Sequence, residues 1–423
     1  MDRRTLLALA LAGCAGPRAS LATASPAQPA TEAPPTHSGD AVFDAWAAAF
    51  YTRARQAGLS ADILNRELAG LTPDPRVADR DVKQPEFAKP FGDYIKGVVS
   101  EDRVAIGRRK RADLTALMAP IEQKYGVPAD VVMGVWAMET GFGAILGSFD
   151  VVRSMASLAA QGRRRQFAED QLIAALKIIG SGEFPRSRLT GSWAGAMGQT
   201  QFIPTTFLST AVDGDGDGKR DIWTSSPDAL ASAANLLAKG GWRRGEGWAQ
   251  EVSLPDGFDY SLTEGPKQPS AAWTALGVRR ADRQAWTGPD AVAPAMLIAP
   301  TGSGGPAFLL FPNHFVIRKY NNATTYALAV GMLADRFAGG GALVHGWPAE
   351  VPLSLEDRIA SQKTLRAVGF DPGSTDGVVG INTRASLRAW QKSKGFTADG
   401  YLSADMVARL KVEAAALPPM PHN

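Results

Sequence analysis

The sequence predicts a mainly α chain of the α+β class, with a small β-containing insertion and a separate helical unit at its C-terminal end. Apolar residues recur at helical spacing over residues 43–68 and 102–124, which favours amphipathic helices. Between residues 251 and 318 the pattern changes to short apolar runs separated by glycine and proline. Two of these runs, 307–311 and 315–317, are typical of strands.

Length and punctuation divide the chain into segments. A chain of 423 residues exceeds one ordinary hydrophobic core, so more than one domain is expected. Residues 324–337 have a helical pattern, and the glycines and prolines that follow mark a linker. The predicted segments are an N-terminal export signal and flexible tether (1–39), a main domain (40–341), a linker (342–353) and a C-terminal domain (354–417).

The composition excludes several classes of function. Lys and Arg number 45 against 42 acidic residues, and this balance is too weak to indicate a nucleic-acid partner. Cys14 is the only cysteine, so cysteine peptidases and intrachain disulfides are excluded. The spacing of the four histidines matches no pattern of metal ligands, so no zinc site is expected. They are His37, His314, His345 and His422.

The N-terminus has the plan of an export signal. Arg3 and Arg4 precede the apolar run 6–12, which is too short to span a membrane. The four residues ending at Cys14 resemble a lipobox, so we expect a periplasmic lipoprotein anchored in the outer membrane through lipid on Cys14. The alternative is an ordinary signal peptide cleaved after Ala24.

One helix carries a candidate catalytic acid. Pro128 opens it and Gly141 follows its end, which places Glu139 in the last turn. Desolvation on an apolar face and the negative end of the helix dipole both raise the pKa of such a carboxyl, as a general acid requires at neutral pH. The local pattern equally allows a buried structural glutamate. The apolar side chains on the same face are Val132, Val135 and Trp136.

A second motif lies about fifty residues later. Residues 191–207 combine small residues, which let a backbone approach a ligand closely, with polar groups and a helix that begins with proline. Together with the Glu-Thr-Gly-Phe-Gly run 139–143, this motif resembles the lysozyme-like core of lytic murein transglycosylases of the membrane-bound B type. The resemblance covers roughly residues 41–340. Gln199 and Thr200 stand where members of that family often carry glycine.

The resemblance implies an activity and a substrate. Glu139 is expected to protonate the bond between N-acetylmuramic acid and N-acetylglucosamine, and then to act as base while a 1,6-anhydro ring closes. The expected partners are peptidoglycan glycan strands. The alternatives are a hydrolytic muramidase with the same acid and a non-catalytic wall-binding scaffold. The residues that the resemblance places along the saccharide cleft are Ser192, Met197, Gln201, Tyr320, Asn321, Asn322, Tyr326 and Tyr94.

The C-terminal segment contains an internal repeat. Residues 376–387 and 399–410 each begin with Asp-Gly and continue into a helix, and residues 356–368 supply a further helix. The pattern predicts three helices and resembles peptidoglycan-binding domains of type 1. The alternative is an unrelated helical cap docked on the main domain.

An acidic loop predicts a structural calcium site. Residues 213–221 have the oxygen spacing of an EF-hand loop, but the twelfth position is Thr224 where a glutamate is expected. The family resemblance implies closure by a later acid, Asp228. The alternative is a solvated turn that binds nothing, and no organic cofactor is expected. The predicted ligands are Asp213, Asp215, Asp217, Lys219, Asp221 and Asp228.

Overall fold

A computed structural model describes residues 37–82 and 89–417. Within these ranges the chain forms seventeen α-helices and seven β-strands. The helices are α1 (Ala41–Gln56), α2 (Ala61–Leu68), α3 (Pro75–Val82), α4 (Phe91–Val98), α5 (Glu101–Asp113), α6 (Thr115–Tyr125), α7 (Ala129–Thr140), α8 (Val151–Gln161), α9 (Arg165–Gly180), α10 (Pro204–Thr210), α11 (Ser226–Lys239), α12 (Ser270–Ala275), α13 (Pro312–Tyr320), α14 (Thr324–Phe337), α15 (Leu355–Ala367), α16 (Ile381–Ser393) and α17 (Ala404–Ala415). The strands are β1 (Phe149–Asp150), β2 (Thr190–Gly191), β3 (Ala249–Ser253), β4 (Gln268–Pro269), β5 (Arg279–Arg280), β6 (Pro294–Ile298) and β7 (Ala307–Leu310). The predicted α+β class is confirmed.

The helices of the main domain enclose two apolar cores. One core lies between α1, α2 and α8–α10, and the other between α4–α7, α11, α13 and α14. Tyr320, at the end of α13, packs against both cores. The two cores therefore meet at Tyr320, one of the residues predicted to line the saccharide cleft.

Helices α7 and α14 approach each other at a glycine. A side-chain carbon on Gly134 would lie 2.7 Å from the carbonyl oxygen of Val330, so only glycine permits this contact. Close packing of these two helices places the last turn of α7 beside the first turn of α14. That arrangement brings Glu139 next to Tyr326.

The insertion forms a five-stranded antiparallel sheet in the order β4-β6-β7-β3-β5. Strand β7 is central, pairing Leu310 with Ala249 of β3 and with Met296 of β6. The expectation of a strand over residues 315–317 is wrong, because this run belongs to helix α13. Pro312 opens that helix, and the apolar residues bury one helical face instead of alternating as strand residues do.

The C-terminal domain consists of α15, α16 and α17 around a core that includes Trp390. Its two Asp-Gly turns are built alike. The amide of Gly377 donates to Gln362 Oε1 at 2.8 Å, and the amide of Gly400 donates to Gln391 Oε1 at the same distance. The repeat seen in the sequence is therefore also present in the structure.

The predicted export signal and Cys14 lie outside the described residues. Over the residues that are described, none of the helices combines the length and apolar character that a membrane crossing needs.

Candidate active site

The end of helix α7 is shaped by a run of left-handed residues. Gly141, Phe142 and Gly143 all have positive φ, at 58°, 64° and 81°. The amides of Gly141 and Phe142 bond back to the carbonyls of Ala137 and Trp136, which closes the helix. The Phe142 ring lies edge-on to Trp136, so packing holds the one residue of the run that is not glycine.

Glu139 lies at this helix end in a half-buried position. Burial raises the pKa of its carboxyl to about 7, and a hydrogen bond from Tyr326 opposes part of that rise. The Tyr326 hydroxyl donates to Oε1 of Glu139 at 2.6 Å. The carboxyl therefore exchanges its proton near neutral pH, which suits a group that gives and then takes a proton.

Three tyrosines surround the carboxyl. The rings of Tyr320 and Tyr326 stack 6.4 Å apart between centroids. Burial, the larger cause, and the charge of Glu139 both raise the pKa of Tyr94. The same two causes raise the pKa values of Tyr320 and Tyr326. All three hydroxyls remain protonated at neutral pH and can donate hydrogen bonds.

The loop of residues 191–202 is bonded to the same helix end. Thr140 Oγ1 donates to the carbonyl of Gln199 at 2.7 Å, and Tyr320 donates to the carbonyl of Thr200 at 2.7 Å. The Gln199 side chain is buried and accepts from the indole of Trp136 at 3.1 Å. Gln199 therefore fastens the loop to α7. The sequence showed only that a glutamine stands where members of the family often carry glycine.

Ser192 and Gln201 both lie partly exposed on this loop. Ser192 Oγ accepts from the amide of Ala196 at 3.0 Å, and Gln201 Nε2 donates to the carbonyl of Leu146. Gln201 also has a positive φ of 51°, which is uncommon for a residue other than glycine. Both side chains are thus held in place at the surface of the loop.

The prediction that Met197 lines the cleft is wrong for its side chain, which is fully buried in the first core. The amide of Met197 donates to the carbonyl of Phe202 at 2.8 Å, and its carbonyl accepts from the amide of Phe202 at 3.0 Å. The backbone groups of Met197 are therefore already hydrogen-bonded within the loop. Sulfur and methylene groups gain more from core contacts than from a wet cleft. Asn321 and Asn322 are exposed, and Asn322 Oδ1 accepts from Arg318 at 2.7 Å.

A further acidic residue with a raised pKa was missed by the sequence analysis. Burial raises the pKa of Asp335 to about 7, and both of its carboxylate oxygens accept from the Trp248 indole. Asp335 follows Tyr326 by nine residues on α14, which is roughly 13 Å of helix rise. It lies toward Asp130 at the opposite end of α7 from Glu139, beyond the spacing of about 5–9.5 Å between paired glycosidase carboxylates.

The acidic loop brings three of the six predicted ligands together. Asp213, Asp215 and Asp228 each offer a carboxylate oxygen, and these oxygens lie within 4.8 Å of one another. The Asp221 carboxylate instead accepts from Thr224. Three converging carboxylates fit a hard divalent cation such as Ca²⁺. Asp217 and Lys219 do not join the cluster; they are exposed on the loop.

Comparison with known proteins places this geometry in a family. Residues 42–335 match the transglycosylase SLT domain, and residues 354–410 match a peptidoglycan binding domain. Membrane-bound lytic murein transglycosylase B of Escherichia coli is 30% identical over 230 residues, which are 51% of this chain and 58% of that protein. The chain therefore aligns with little more than half the length of that relative.

Solved structures agree in fold. SltB3 from Pseudomonas aeruginosa, in complex with NAG-anhNAM-pentapeptide, is 46% identical with a TM-score of 0.83, covering 87% of this chain and 99% of its own. The Escherichia coli lytic transglycosylase Slt35 in complex with calcium is 25% identical with a TM-score of 0.59, covering 74% and 98%. The chain belongs to the transglycosylase SLT domain family, and it carries a C-terminal peptidoglycan binding domain.

Proposed function

We propose that the chain is a peptidoglycan lytic transglycosylase, which cleaves the β-1,4 bond between N-acetylmuramic acid and N-acetylglucosamine without consuming water. The observation that carries the proposal is Glu139, a carboxyl with a pKa of about 7 that is hydrogen-bonded to Tyr326. Glu139 lies within the region that matches the SLT domain family, and a relative of this chain is described as a lytic murein transglycosylase.

In the proposed reaction Glu139 first acts as acid. It protonates the glycosidic oxygen, the bond from that oxygen to C1 of the muramic acid breaks, and N-acetylglucosamine leaves with the proton. The acetamido group of the muramic acid stabilises the cationic carbon. The Glu139 carboxylate then takes the proton from the sugar's own 6-hydroxyl, whose oxygen bonds to C1 and forms the 1,6-anhydro ring. The carboxyl is regenerated protonated, so the cycle balances.

A single carboxyl suffices for both steps because the pKa lies near neutrality. Burial and the Tyr326 hydroxyl are the two causes behind that pKa, and neither involves a second carboxylate. A retaining or inverting glycosidase needs two carboxyls about 5–9.5 Å apart. The position of Asp335 at the far end of α14 supports the one-carboxyl reaction.

The test is mass spectrometry of muropeptides released from purified sacculi by the full-length protein. We expect anhydromuramyl products, which lack one water relative to hydrolytic products, and no release by Glu139→Gln. Glu356→Gln is the matched control, since it removes an exposed carboxyl on α15. Products with a reducing muramic acid would establish a hydrolytic muramidase, and sacculi left intact by the wild-type protein would establish a non-catalytic scaffold.

We further propose that the protein is exported and lipidated at Cys14, with calcium as a structural ion in the 213–228 loop. The apolar run before Cys14 and the clustered carboxylates of Asp213, Asp215 and Asp228 support these assignments. Intact-mass analysis of the mature protein tests the anchor. An N-terminal acylated cysteine is expected, and a mature chain that begins at Ser25 without an acyl group would contradict it.

A further inference from the structure

The C-terminal domain is fixed to the main domain by its second Asp-Gly turn. Oδ2 of Asp399 accepts from the amide of Ser303 at 2.9 Å and from its hydroxyl at 3.0 Å. Gly302 leaves no room for a side chain, because an added carbon would lie 2.4 Å from Asp399. The second Asp-Gly turn therefore serves as an internal docking contact.

A salt-bridge cluster strengthens this docking. Glu264, next to the sheet, accepts from the guanidinium of Arg384 on α16, and Arg388 lies 3.9 Å from the same carboxylate. Glu264 has a φ of +60°, and its amide donates to the carbonyl of Leu297 at 2.8 Å. A left-handed residue other than glycine is held there by its surroundings, which fixes where the carboxylate meets the two arginines.

The linker adds a third tie. The carboxylate of Glu350 accepts from the hydroxyl of Tyr401 in the C-terminal domain and from the amide of Gly92 at the start of α4. Helix α4 also carries Tyr94, whose pKa responds to the charge of Glu139. The C-terminal domain is thus held at a defined place relative to the candidate active site.

These contacts leave a cavity of about 350 Å³ between the two domains, which we call the interdomain pocket. Phe91, Met296 and Leu310 line it from the main domain, and Ile381, Arg384 and Arg388 line it from α16. Its size falls in the range of about 300–1,000 Å³ that is usual for ligand sites. The contacts that hold the domains together therefore also build a pocket large enough for a ligand.

The pocket carries an excess of positive charge over an apolar floor. Arg318, Arg384 and Arg388 face two carboxylates, Glu264 and Asp399. The Nε of Arg318 is buried and lacks a hydrogen-bond partner among the described residues. A buried donor without a partner lowers stability, and a ligand carboxylate would satisfy it.

The interdomain pocket shares two helices with the candidate active site. Arg318 and Thr324 line it. The guanidinium of Arg318 donates at 2.7 Å to Oδ1 of Asn322, a predicted cleft residue, and Thr324 precedes Tyr326 by two residues on α14. The pocket therefore lies against α13 and the start of α14, the two segments that also carry two of the tyrosines around Glu139.

We propose that the interdomain pocket binds the stem peptide of the substrate, the alanine-containing and carboxylate-bearing chain attached to N-acetylmuramic acid. Guanidinium groups pair with its free carboxylates, and the apolar floor accepts its methyl groups. This inference rests on the proposed function and adds a specificity to it. Glycan strands that keep their peptides bind better than bare strands.

The test is binding, because binding does not depend on cleavage. The full-length Glu139→Gln protein is titrated calorimetrically with N-acetylglucosaminyl-N-acetylmuramyl tetrapeptide and with the same disaccharide lacking the peptide. We expect the peptide-bearing ligand to bind about tenfold more tightly, as for one charge-assisted contact. Equal affinities for the two ligands would overturn the proposal.

Variants at Ile381 keep the fold intact while changing the charge of the pocket. This side chain is 59% exposed at the first position of α16. Ile381→Glu should weaken peptide-bearing ligand about tenfold by repelling its carboxylates, and Ile381→Lys should preserve or tighten binding. The bare disaccharide should bind both variants equally well. A loss shared by both ligands, or by both variants, would contradict a site for carboxylates.

Arg388→Gln tests the pocket from within, with Arg409→Gln as its control. Arg409 lies on α17 and pairs with Asp405. We expect only Arg388→Gln to lower the affinity for peptide-bearing ligand. If the wild-type protein leaves sacculi uncut while the affinity difference persists, the proposed reaction fails and the pocket stands. If the wild-type protein cuts sacculi but binds the two ligands equally, the proposed reaction stands and the pocket proposal fails.

Discussion

The hydroxyl of Tyr326 donates a 2.6 Å hydrogen bond to Oε1 of Glu139, across 187 residues of sequence. Desolvation raises the pKa of the carboxyl, and this bond lowers it again by stabilising the charged form. Burial keeps the pKa of Tyr326 itself well above its usual value, so the phenol stays a donor throughout the neutral range. The pair therefore sets the pH at which Glu139 can act as an acid.

Tyr326→Phe should move the alkaline limb of the pH–activity profile to higher pH. The variant loses a hydrogen bond to a charged group, worth about 1.5–3 kcal/mol, so the pKa of Glu139 should rise above about 7 by about one to two units. The measurement is kcat/KM for peptidoglycan digestion between pH 5 and about 9. Tyr51→Phe, in the other core, is the control. An alkaline limb that stays in place would show that this bond does not set the pKa.

The raised pKa of Glu139 could be predicted from sequence, but its partner could not. Val132, Val135 and Trp136 share its helical face, and that local pattern is enough to predict poor solvation. Tyr326 reaches Glu139 only because Gly134 lets α14 pack against α7. Such a contact depends on the tertiary packing of distant segments, which helical spacing does not encode.

Glu139→Gln should stabilise the protein at high pH and leave it nearly unchanged at low pH. The folded-state pKa of about 7 lies above the ordinary value of 4.5. The folded protein therefore binds this proton more tightly than the unfolded chain. The resulting stability is present below pH 4.5, is lost as the pH rises to 7, and becomes a fixed penalty above that.

Since glutamine carries no charge, the variant should gain at most about 3 kcal/mol at pH 8 and little at pH 4. Thermal or urea unfolding at the two pH values measures the difference, with Glu356→Gln as control. A variant that is destabilised equally at both pH values would contradict the assigned burial of the charge.

Calcium should raise the thermal midpoint of the protein. Burial raises the pKa of Asp228, and its carboxylate accepts from the amides of Gly214 and Asp221, which places it at the centre of the loop. At an ion concentration 100 times the dissociation constant, the gain in stability is about 2.7 kcal/mol. Differential scanning calorimetry with calcium and with a chelator measures the shift.

Asp228→Asn should abolish the calcium shift, whereas Asp217→Asn should keep most of it. Asp217 is exposed, and Oδ1 of its side chain accepts from the amide of Lys219. If Asp217→Asn removes the shift as fully as Asp228→Asn does, the six-ligand EF-hand arrangement predicted from sequence describes the site better than the three clustered carboxylates.

The acidic loop and the 191–202 loop show where sequence reasoning reaches its limit. The EF-hand spacing predicted Asp213 and Asp215, the family resemblance added Asp228, and these three carboxylates do converge. Neither the spacing nor the resemblance could show that Asp221 turns toward Thr224, because that choice is made by local hydrogen bonds. Met197 was misplaced for a similar reason: a motif position gives the chain path but not the direction of a side chain.

Gln199→Ala should lower both stability and activity. The variant leaves the indole N–H of Trp136, which lies in the core, without the acceptor it now has at 3.1 Å. An unsatisfied buried donor costs about 1–3 kcal/mol. The side-chain amide also donates to the carbonyl of Trp223, so the loop of residues 191–202 loses its tie to the segment that precedes α11.

Urea denaturation and the rate of sacculus digestion measure the two effects, with Gln166→Ala as control because Gln166 bonds only the exposed carboxylate of Asp170. The hydrogen bond from the Thr140 hydroxyl to the carbonyl of residue 199 remains in the variant, so the loop should loosen and not detach. We therefore expect the rate to fall more than the affinity for the disaccharide, because Ser192 and Gln201, the predicted cleft residues on this loop, would be held less firmly. Unchanged unfolding free energy would show that the Trp136 indole finds another acceptor, and that Gln199 does not fasten the loop.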